Sequence, residues 1–123
     1  MKWRKTGLIF HPESRYDWMV SHASVPVAVH LGEDIYRIYF SSRDELNRSH
    51  IGYIEVDITL PDKILYLTPE PVLAPGPPGY FDDHGVMPSS IATYNARMHL
   101  YYTGWNPGRG KLYYNSIGLT VEA

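Results

Sequence analysis

The sequence contains no cysteine, no long apolar run and no excess of basic residues. Without cysteine, disulfide bridges, thiolate metal sites and a cysteine nucleophile are all excluded. Its 11 Lys and Arg residues stand against 13 Asp and Glu residues, for a net charge of −2, so it has no basic footprint for nucleic acid or an anionic membrane. The apolar run at 7–10 ends at His11-Pro12, too early for a signal peptide or a membrane span. We therefore expect a soluble, cytoplasmic protein with no nucleic-acid or membrane partner.

Helical patterning is also missing, because no window of about eleven residues keeps apolar positions at helical spacing without meeting Pro or Gly. In its place the 123 residues contain 11 Tyr, 10 Pro and 10 Gly. Aromatic residues interrupted by frequent breakers are typical of short strands joined by turns. The sequence therefore predicts an all-β fold in a single domain, 1–123.

Seven segments have the composition of strands. Val25 to Leu31 is nearly continuous apolar sequence, which predicts a strand buried on both faces. The other predicted strands are Ile35 to Phe40, His50 to Ile58, Lys63 to Leu67, Ser89 to Tyr94, Met98 to Thr103 and Asn115 to Val121. Prolines at 69, 71, 75, 77 and 78 predict irregular chain between the fourth and fifth strands, because proline cannot donate to a strand ladder.

The two halves of the chain resemble each other in order and spacing. Tyr39-Phe40 matches Tyr101-Tyr102 at an offset of 62, and Ile51-Gly52 matches Ile117-Gly118 at an offset of 66. The alternative is that any two β-hairpins look alike. Repeated units of four short antiparallel strands are the signature of propeller blades. The repeat predicts a complete blade at 24–67, a second blade of three strands at 86–121, and a spare strand at 3–10.

Three segments resemble the five-bladed β-propellers of the glycoside hydrolases, the group of arabinanase-like, invertase-like and levansucrase-like proteins and mannoside phosphorylases. FDDHGVMPSS at 81–90 is similar to the start of an invertase-like blade, and DIYRIYFSS at 34–42 and YYTGW at 101–105 are similar to arabinanase-like hairpins. The resemblance covers 3–121 and implies the N-terminal part of such a propeller, with a saccharide bound at the central axis.

The chain departs from that group in two respects. Val25-Pro26 stands where the family has the Asp-Pro of its first catalytic aspartate. Five blades need about 300 residues, and the glutamate that serves as general acid in the family comes from a later blade. Glycoside hydrolysis needs two carboxyl groups about 5 to 10 Å apart, so the set of catalytic acids in this chain is incomplete.

Asp82 and Asp83 precede the innermost strand of the second blade and are the candidate catalytic residues. Adjacent carboxylates near the axis are expected to raise one another's pKa and to supply an acid or base. The alternative is that they accept backbone N–H groups in the turn between blades.

Four further residues are candidates for binding substrate, each with a structural alternative. His22 lies at the matching place before the first blade and suits a sugar hydroxyl, or else caps a strand. Arg43 and Asp44 follow the second strand and suit hydroxyls or an anionic sugar, or else belong to a solvated loop. Trp105 offers an aromatic face to a sugar ring, or packs between blades.

No metal or cofactor is predicted, because the six histidines lack compact ligand spacing. A lone pair of blades leaves apolar flanks, so self-association is expected. One arrangement is cyclic, with 3–10 of one chain completing the second blade of the next. The sequence thus predicts a carbohydrate-binding, glycosidase-like propeller protein. The alternatives are a non-catalytic remnant or interaction module, and a glycoside hydrolase whose site forms between chains.

Overall fold

A computed structural model describes residues 1–110 and 112–123, and every element in them is a β-strand. The seven strands are β1 (Ser21–Gly32), β2 (Ile35–Arg43), β3 (Ser49–Asp57), β4 (Ile64–Leu67), β5 (Gly85–Tyr94), β6 (Arg97–Asn106) and β7 (Tyr114–Val121). The described residues include no helix that is long and apolar enough to cross a membrane. The predicted all-β class is confirmed, and each of the seven strand segments predicted between residues 25 and 121 lies within or overlaps one of these strands.

Tight turns join the hairpin strands. Glu33, the first residue of the two-residue turn between β1 and β2, has a φ of 49°. Asn95 and Ala96 connect β5 to β6 with φ of 50° and 58°. Two successive residues with positive φ match the right-handed twist of the flanking strands, which is why such turns close hairpins.

The strands form one open sheet in the order β1-β2-β3-β5-β6-β7, with β4 paired to β3. We call β1–β4 the first unit and β5–β7 the second unit. Pairing within each unit is antiparallel, whereas the two units are joined by a single parallel bridge between Ser49 and Gly85. The backbones of the two units therefore meet at one point, and side chains must supply the rest of their contact.

The core is divided into two layers. Between the units, Tyr39 and Ile51 pack against Val86, Leu100 and Tyr102 of the second unit. On the outer face of the first unit, the buried side chains belong to strands β2 and β3 and to the segment that precedes β1: Trp18, Met19, Phe40, Ile54 and Val56. The first unit is thus covered on both faces, on one side by the second unit and on the other by its own N-terminal segment.

The structure corrects one prediction and leaves another open. Val25 to Leu31 was expected to be buried on both faces, yet Val25 is 45% exposed and Leu31 43% exposed. From β1, Val29 packs against the core between the units, and most of the strand's other side chains have no layer packed over them, at the edge of the sheet where β1 pairs only with β2. Residues 3–10 form no strand within the chain; Trp3 is 92% exposed, and Phe10 rests on Phe40 with 5.1 Å between ring centroids. Pairing of this segment with another copy stays a prediction.

Candidate functional site

The candidate residues gather at one end of the sheet, where β1, β5 and β7 begin and β2 and β6 end. Antiparallel pairing places Ser21 beside Arg43 and Gly85 beside Trp105. The parallel bridge from Gly85 to Ser49 then joins the two units at this same end. Residues far apart in sequence therefore share one rim.

A small pocket at this rim lies around the indole ring of Trp105, and we call it the Trp105 pocket. Its volume is about 190 Å³, and its lining residues are Arg43, Met87, Trp105, Tyr113 and Asn115. The Arg43 guanidinium lies 5.6 Å from the Trp105 ring centroid, within cation–π range. Tyr113 meets the indole edge-on at 5.0 Å, the arrangement that the aromatic quadrupoles favour. The pocket thus combines two aromatic rings with a cation and an amide.

Trp105 also packs between the two units. The ring is buried, and its N–H donates a hydrogen bond to Ser49 Oγ at 2.7 Å. The packing alternative for this residue is therefore correct as a description of its structural role. The ring also lines the pocket, so a contact between Trp105 and a sugar remains compatible with the structure and stays a prediction.

Asp83 takes part in the turn before β5. Its carboxylate accepts a hydrogen bond from the His84 ring at 2.6 Å and another from the Gly79 backbone N–H at 2.9 Å. These two donors hold the pKa of Asp83 below its ordinary value. The expectation that Asp82 would raise the pKa of Asp83 is therefore wrong, since Asp83 is stabilised in its charged form. The centroid of the His84 ring lies 6.1 Å from that of the Trp105 ring. Asp83 and His84 are therefore beside the pocket but are not among the residues that line it.

Asp82 is buried, with 6% of its surface exposed, and points to different partners. Its carboxylate accepts the Tyr102 hydroxyl at 3.1 Å. A Cβ at Gly76 would overlap this carboxylate, so the glycine leaves the space that it fills. Burial, followed by the hydrogen bond to Asp82, raises the pKa of the Tyr102 hydroxyl. The adjacent aspartates therefore serve two separate sets of contacts rather than forming a carboxylate pair.

His22 stands next to the pocket rather than in it. Its φ of 68° is unusual for a residue other than glycine, and its Nδ1 lies 2.7 Å from Ser21 Oγ. Ser21 pairs with Arg43, so the structure brings His22 near one predicted binding residue. It is not among the residues that line the Trp105 pocket.

Asp44 organises the loop between β2 and β3. One carboxylate oxygen accepts the backbone N–H groups of Leu46 and Arg48, and the other accepts the Arg48 guanidinium and lies 2.9 Å from His50 Nε2. Burial raises the pKa of Asp44, but the hydrogen bonds from His50 and Arg48 and the positive charge of Arg48 outweigh it and lower the pKa overall. Asp44 therefore does not lie in a loop whose side chains contact only solvent, because its carboxylate forms the hydrogen bonds that hold the turn together.

A second cavity of about 300 Å³ lies over this loop. Its lining residues are Asp17, Trp18, Asp44, Glu45, Leu46, Arg48 and His50. His50 is buried, and its Nδ1 has no hydrogen-bond partner among the described residues. The sequence interpretation treated His50 only as the start of a strand. The signal was present in the hairpin itself, since Ser42 pairs with His50 and brings the histidine over the Asp44 turn.

Sequence reasoning also missed Met87, Tyr113 and Asn115 of the Trp105 pocket. Met87 and Tyr113 come just before predicted strands and Asn115 begins one, and nothing in the sequence marks any of them as a binding residue. The described residues contain no group of three or more His, Asp or Glu side chains that could hold a metal ion. The rim therefore offers aromatic, amide and guanidinium groups as its binding chemistry.

Comparison with known proteins adds relatives without an assigned activity. No family model matches the sequence. The chain is 47% identical over 122 residues to Uncharacterized protein MT1551 of Mycobacterium tuberculosis strain CDC 1551 / Oshkosh, and equally to Uncharacterized protein Rv1502 of strain ATCC 25618 / H37Rv. The match covers 99% of this chain and 41% of each relative. Since 122 residues make up 41% of each, both relatives are about 300 residues long.

Proposed function

We propose that the chain forms two blades of a glycosidase-like β-propeller and binds a saccharide in the Trp105 pocket. The observation that carries the proposal is the composition of the pocket, in which Trp105 and Tyr113 stand with Arg43 and Asn115. Sugar rings present apolar C–H faces and many hydroxyls, so they suit aromatic surfaces flanked by a few fixed polar groups.

The repeat supports the propeller. Two pairs of residues aligned by the offset of 62 lie on corresponding faces of the two units. These pairs are Tyr39 with Tyr101, and Phe40 with Tyr102. The relatives are about 300 residues long, which leaves room beyond the matched 122 residues for about three more blades of about 40 to 50 residues each. In a closed propeller the remaining blades would come from sequence like that which the relatives have beyond the matched 122 residues.

Binding is favoured over hydrolysis for this chain. Hydrolysis requires two carboxyl groups about 5 to 10 Å apart across the bond that is cleaved. Among the residues that the structure describes, none that lines the Trp105 pocket carries a carboxylate, while Asp82 is tied to Tyr102 and Asp83 to His84. The volume of about 190 Å³ is below the range of about 300 to 1,000 Å³ for drug-sized ligands, so the pocket accommodates a single sugar residue.

The test is an NMR titration of the full chain with arabinose, fructose and mannose, each up to about 50 mM, a range that detects millimolar affinity. Binding at the pocket is expected to shift the resonances of Tyr113 and Asn115 with at least one of the three sugars. Asn115→Ala and Arg43→Ala are expected to weaken that binding about 10-fold, the loss of roughly one good hydrogen bond.

Arg97→Ala is the matched control, because Arg97 is exposed and begins β6 at the opposite end of that strand. It should bind the sugar as the unmodified chain does. Shifts from no sugar, or shifts that persist unchanged in Asn115→Ala and Arg43→Ala, would overturn the proposed pocket.

A further inference from the structure

Three arginines of the described chain are partly buried, and two of them bind a carboxylate: Arg37 and Arg48. The Nε and Nη2 atoms of a guanidinium form a planar side-on edge that suits a carboxylate oxygen. Arg37 uses this edge to bind Glu55, with Nε 3.0 Å and Nη2 2.8 Å from Oε1. Arg48 uses it to bind Asp44, with both nitrogens 3.0 Å from Oδ2. The two pairs show how this fold satisfies a partly buried arginine.

The third partly buried arginine, Arg43, has no carboxylate on that edge. Its Nη1 donates a hydrogen bond to Asn47 Oδ1 at 3.0 Å, and the described residues provide no acceptor for its Nε or Nη2. The guanidinium also lies 5.6 Å from the Trp105 ring centroid, so the amide and the indole together hold it in place. Arg43 is therefore a fixed cation in the wall of the Trp105 pocket, with its side-on edge unused.

The lining of the Trp105 pocket does not balance this charge. Of the residues that the structure places in the lining, only Arg43 is charged. Asp44 follows Arg43 in sequence, but its carboxylate is taken up by hydrogen bonds within its own loop. Asp83, beside the pocket, likewise accepts donors from its own turn. An anionic group on a ligand would therefore give the guanidinium the kind of partner that compensates for its loss of water.

The size of the pocket favours a carboxylate as that anionic group. The volume of about 190 Å³ accommodates a single sugar residue. In a sugar acid the carboxylate replaces the terminal hydroxymethyl group, so the ligand gains a charge without gaining length. A phosphate ester would add a tetrahedral group to the same sugar. The two arginines with an occupied edge, Arg37 and Arg48, also bind carboxylates.

We propose that the Trp105 pocket prefers a sugar acid, whose carboxylate binds the side-on edge of Arg43. This inference rests on the proposed function, because it names the ligand class of the same pocket. Trp105 and Tyr113 receive the sugar ring, and Arg43 selects the acid over the neutral sugar. Hydrogen bonds to a charged acceptor are about twice as strong as neutral ones, so the acid should bind roughly 10-fold more tightly than its neutral counterpart.

NMR titrations of the full chain test this preference with pairs that differ only in a terminal hydroxymethyl group or carboxylate. The pairs are glucose and glucuronate, galactose and galacturonate, and mannose and mannuronate, each up to about 50 mM to detect millimolar affinity. At least one acid is expected to shift the resonances of Tyr113 and Asn115 and to bind roughly 10-fold more tightly than its neutral partner. Acetate should bind more weakly than that acid, because it has no ring to contact Trp105.

Two substitutions of Arg43 separate its charge from its shape. Arg43→Gln should bring the affinity for the acid down to that for the neutral sugar, because glutamine donates hydrogen bonds without a charge. Arg43→Lys keeps the charge without the planar edge and should retain only part of the preference. Arg97→Gln is the matched control: it removes the same charge from an exposed residue at the far end of β6, and should leave the preference unchanged.

The outcomes separate the preference from the pocket itself. A neutral sugar that shifts Tyr113 and Asn115 while its acid binds no more tightly would leave the saccharide pocket standing and overturn the preference. A preference that persists in Arg43→Gln would also overturn it. Acetate that binds as tightly as the acid, or glucose 6-phosphate that binds more tightly than glucuronate, would overturn the assignment to a sugar acid. If neither neutral sugars nor acids shift these resonances, the pocket is wrong and the preference fails with it.

Discussion

The indole N–H of Trp105 donates a hydrogen bond to Ser49 Oγ across 2.7 Å, and this bond joins the two units at their shared rim. It lies beside the parallel bridge from Ser49 to Gly85. A Cβ at Gly85 would overlap both partners of the bond, so the glycine allows the close approach. The candidate binding pocket and the junction between the units are therefore built from the same tryptophan.

Ser49→Ala is expected to destabilise the chain by about 1 to 2 kcal/mol, because the buried indole N–H loses its acceptor. Urea unfolding followed by circular dichroism measures the change. The control is the same substitution in a Trp105→Phe background, where no donor remains and the added cost should fall below about 0.5 kcal/mol. An equal cost in both backgrounds would mean that Ser49 acts by some other contact.

Tyr102→Phe should also destabilise the chain, by about 1 to 2 kcal/mol, because buried Asp82 loses the hydroxyl that it accepts. Tyr101→Phe is the matched control, since Tyr101 is the exposed neighbour on β6 and should change stability by less than about 0.5 kcal/mol. An NMR titration adds an independent readout. Burial and Asp82 raise the pKa of Tyr102 above the ordinary 10.0, and Asp82→Asn should bring it closer to that value.

The Asp44 turn predicts an acid-sensitive contribution to stability. Because the folded-state pKa of Asp44 lies below its ordinary value of 3.8, the carboxylate stabilises the fold at every pH above that value. The contribution is lost as the pH falls below 3.8 through the folded-state pKa. At pH 6, Asp44→Asn should be less stable by about 2 kcal/mol, since bonds to a charged acceptor are lost.

Chemical unfolding at about pH 6 and at several pH values below 3.8 checks this sign. The stability gap between the unmodified chain and Asp44→Asn should shrink progressively as the pH falls and the Asp44 carboxylate takes up its proton. Asp62→Asn serves as control at an exposed turn residue and should show no such convergence. A gap that stays constant or widens toward low pH contradicts the role of the carboxylate.

The strands were predictable because their signals are local. Alternation along His50 to Ile58 and the breakers at Gly32 and Asn95 act within a few residues, and the structure follows them closely. The burial of Val25 to Leu31 was not predictable in the same way. The burial of its side chains depends on what packs against the two faces of β1, and that is a property of the assembled fold rather than of the strand's own sequence.

The candidate site likewise combines features that local sequence predicted with features that depend on the assembled fold. Arg43 and Trp105 were predicted from sequence and do meet in one pocket, because both end strands at the same rim. The expectation that Asp82 and Asp83 act as a carboxylate pair was wrong, because the two successive side chains point in different directions. Asp82 points toward Tyr102, and Asp83 points toward His84. Tyr113 was missed because a single aromatic residue before β7 carries no pattern that separates a pocket wall from a loop.

Two glycines at equivalent positions of the repeat test the proposed relationship between the units. Gly52 lies beneath the Trp18 indole, and Gly118 lies beneath the Tyr102 ring; a Cβ at either glycine would overlap the ring. Each glycine also pairs with an aromatic residue of the neighbouring strand, Phe40 and Tyr102 respectively. An aromatic ring over a strand glycine is thus a feature common to both units.

Gly52→Ala and Gly118→Ala should each destabilise the chain by about 1 to 3 kcal/mol, because the added methyl group forces a packed ring to move. Ser116→Ala, on the same strand as Gly118 but exposed, should change stability by less than about 0.5 kcal/mol. In a Tyr102→Leu background the ring is gone, so Gly118→Ala should cost much less than it does alone. If Gly118→Ala is equally costly with and without the Tyr102 ring, the ring does not explain the glycine, and the structural equivalence of the two units loses this support.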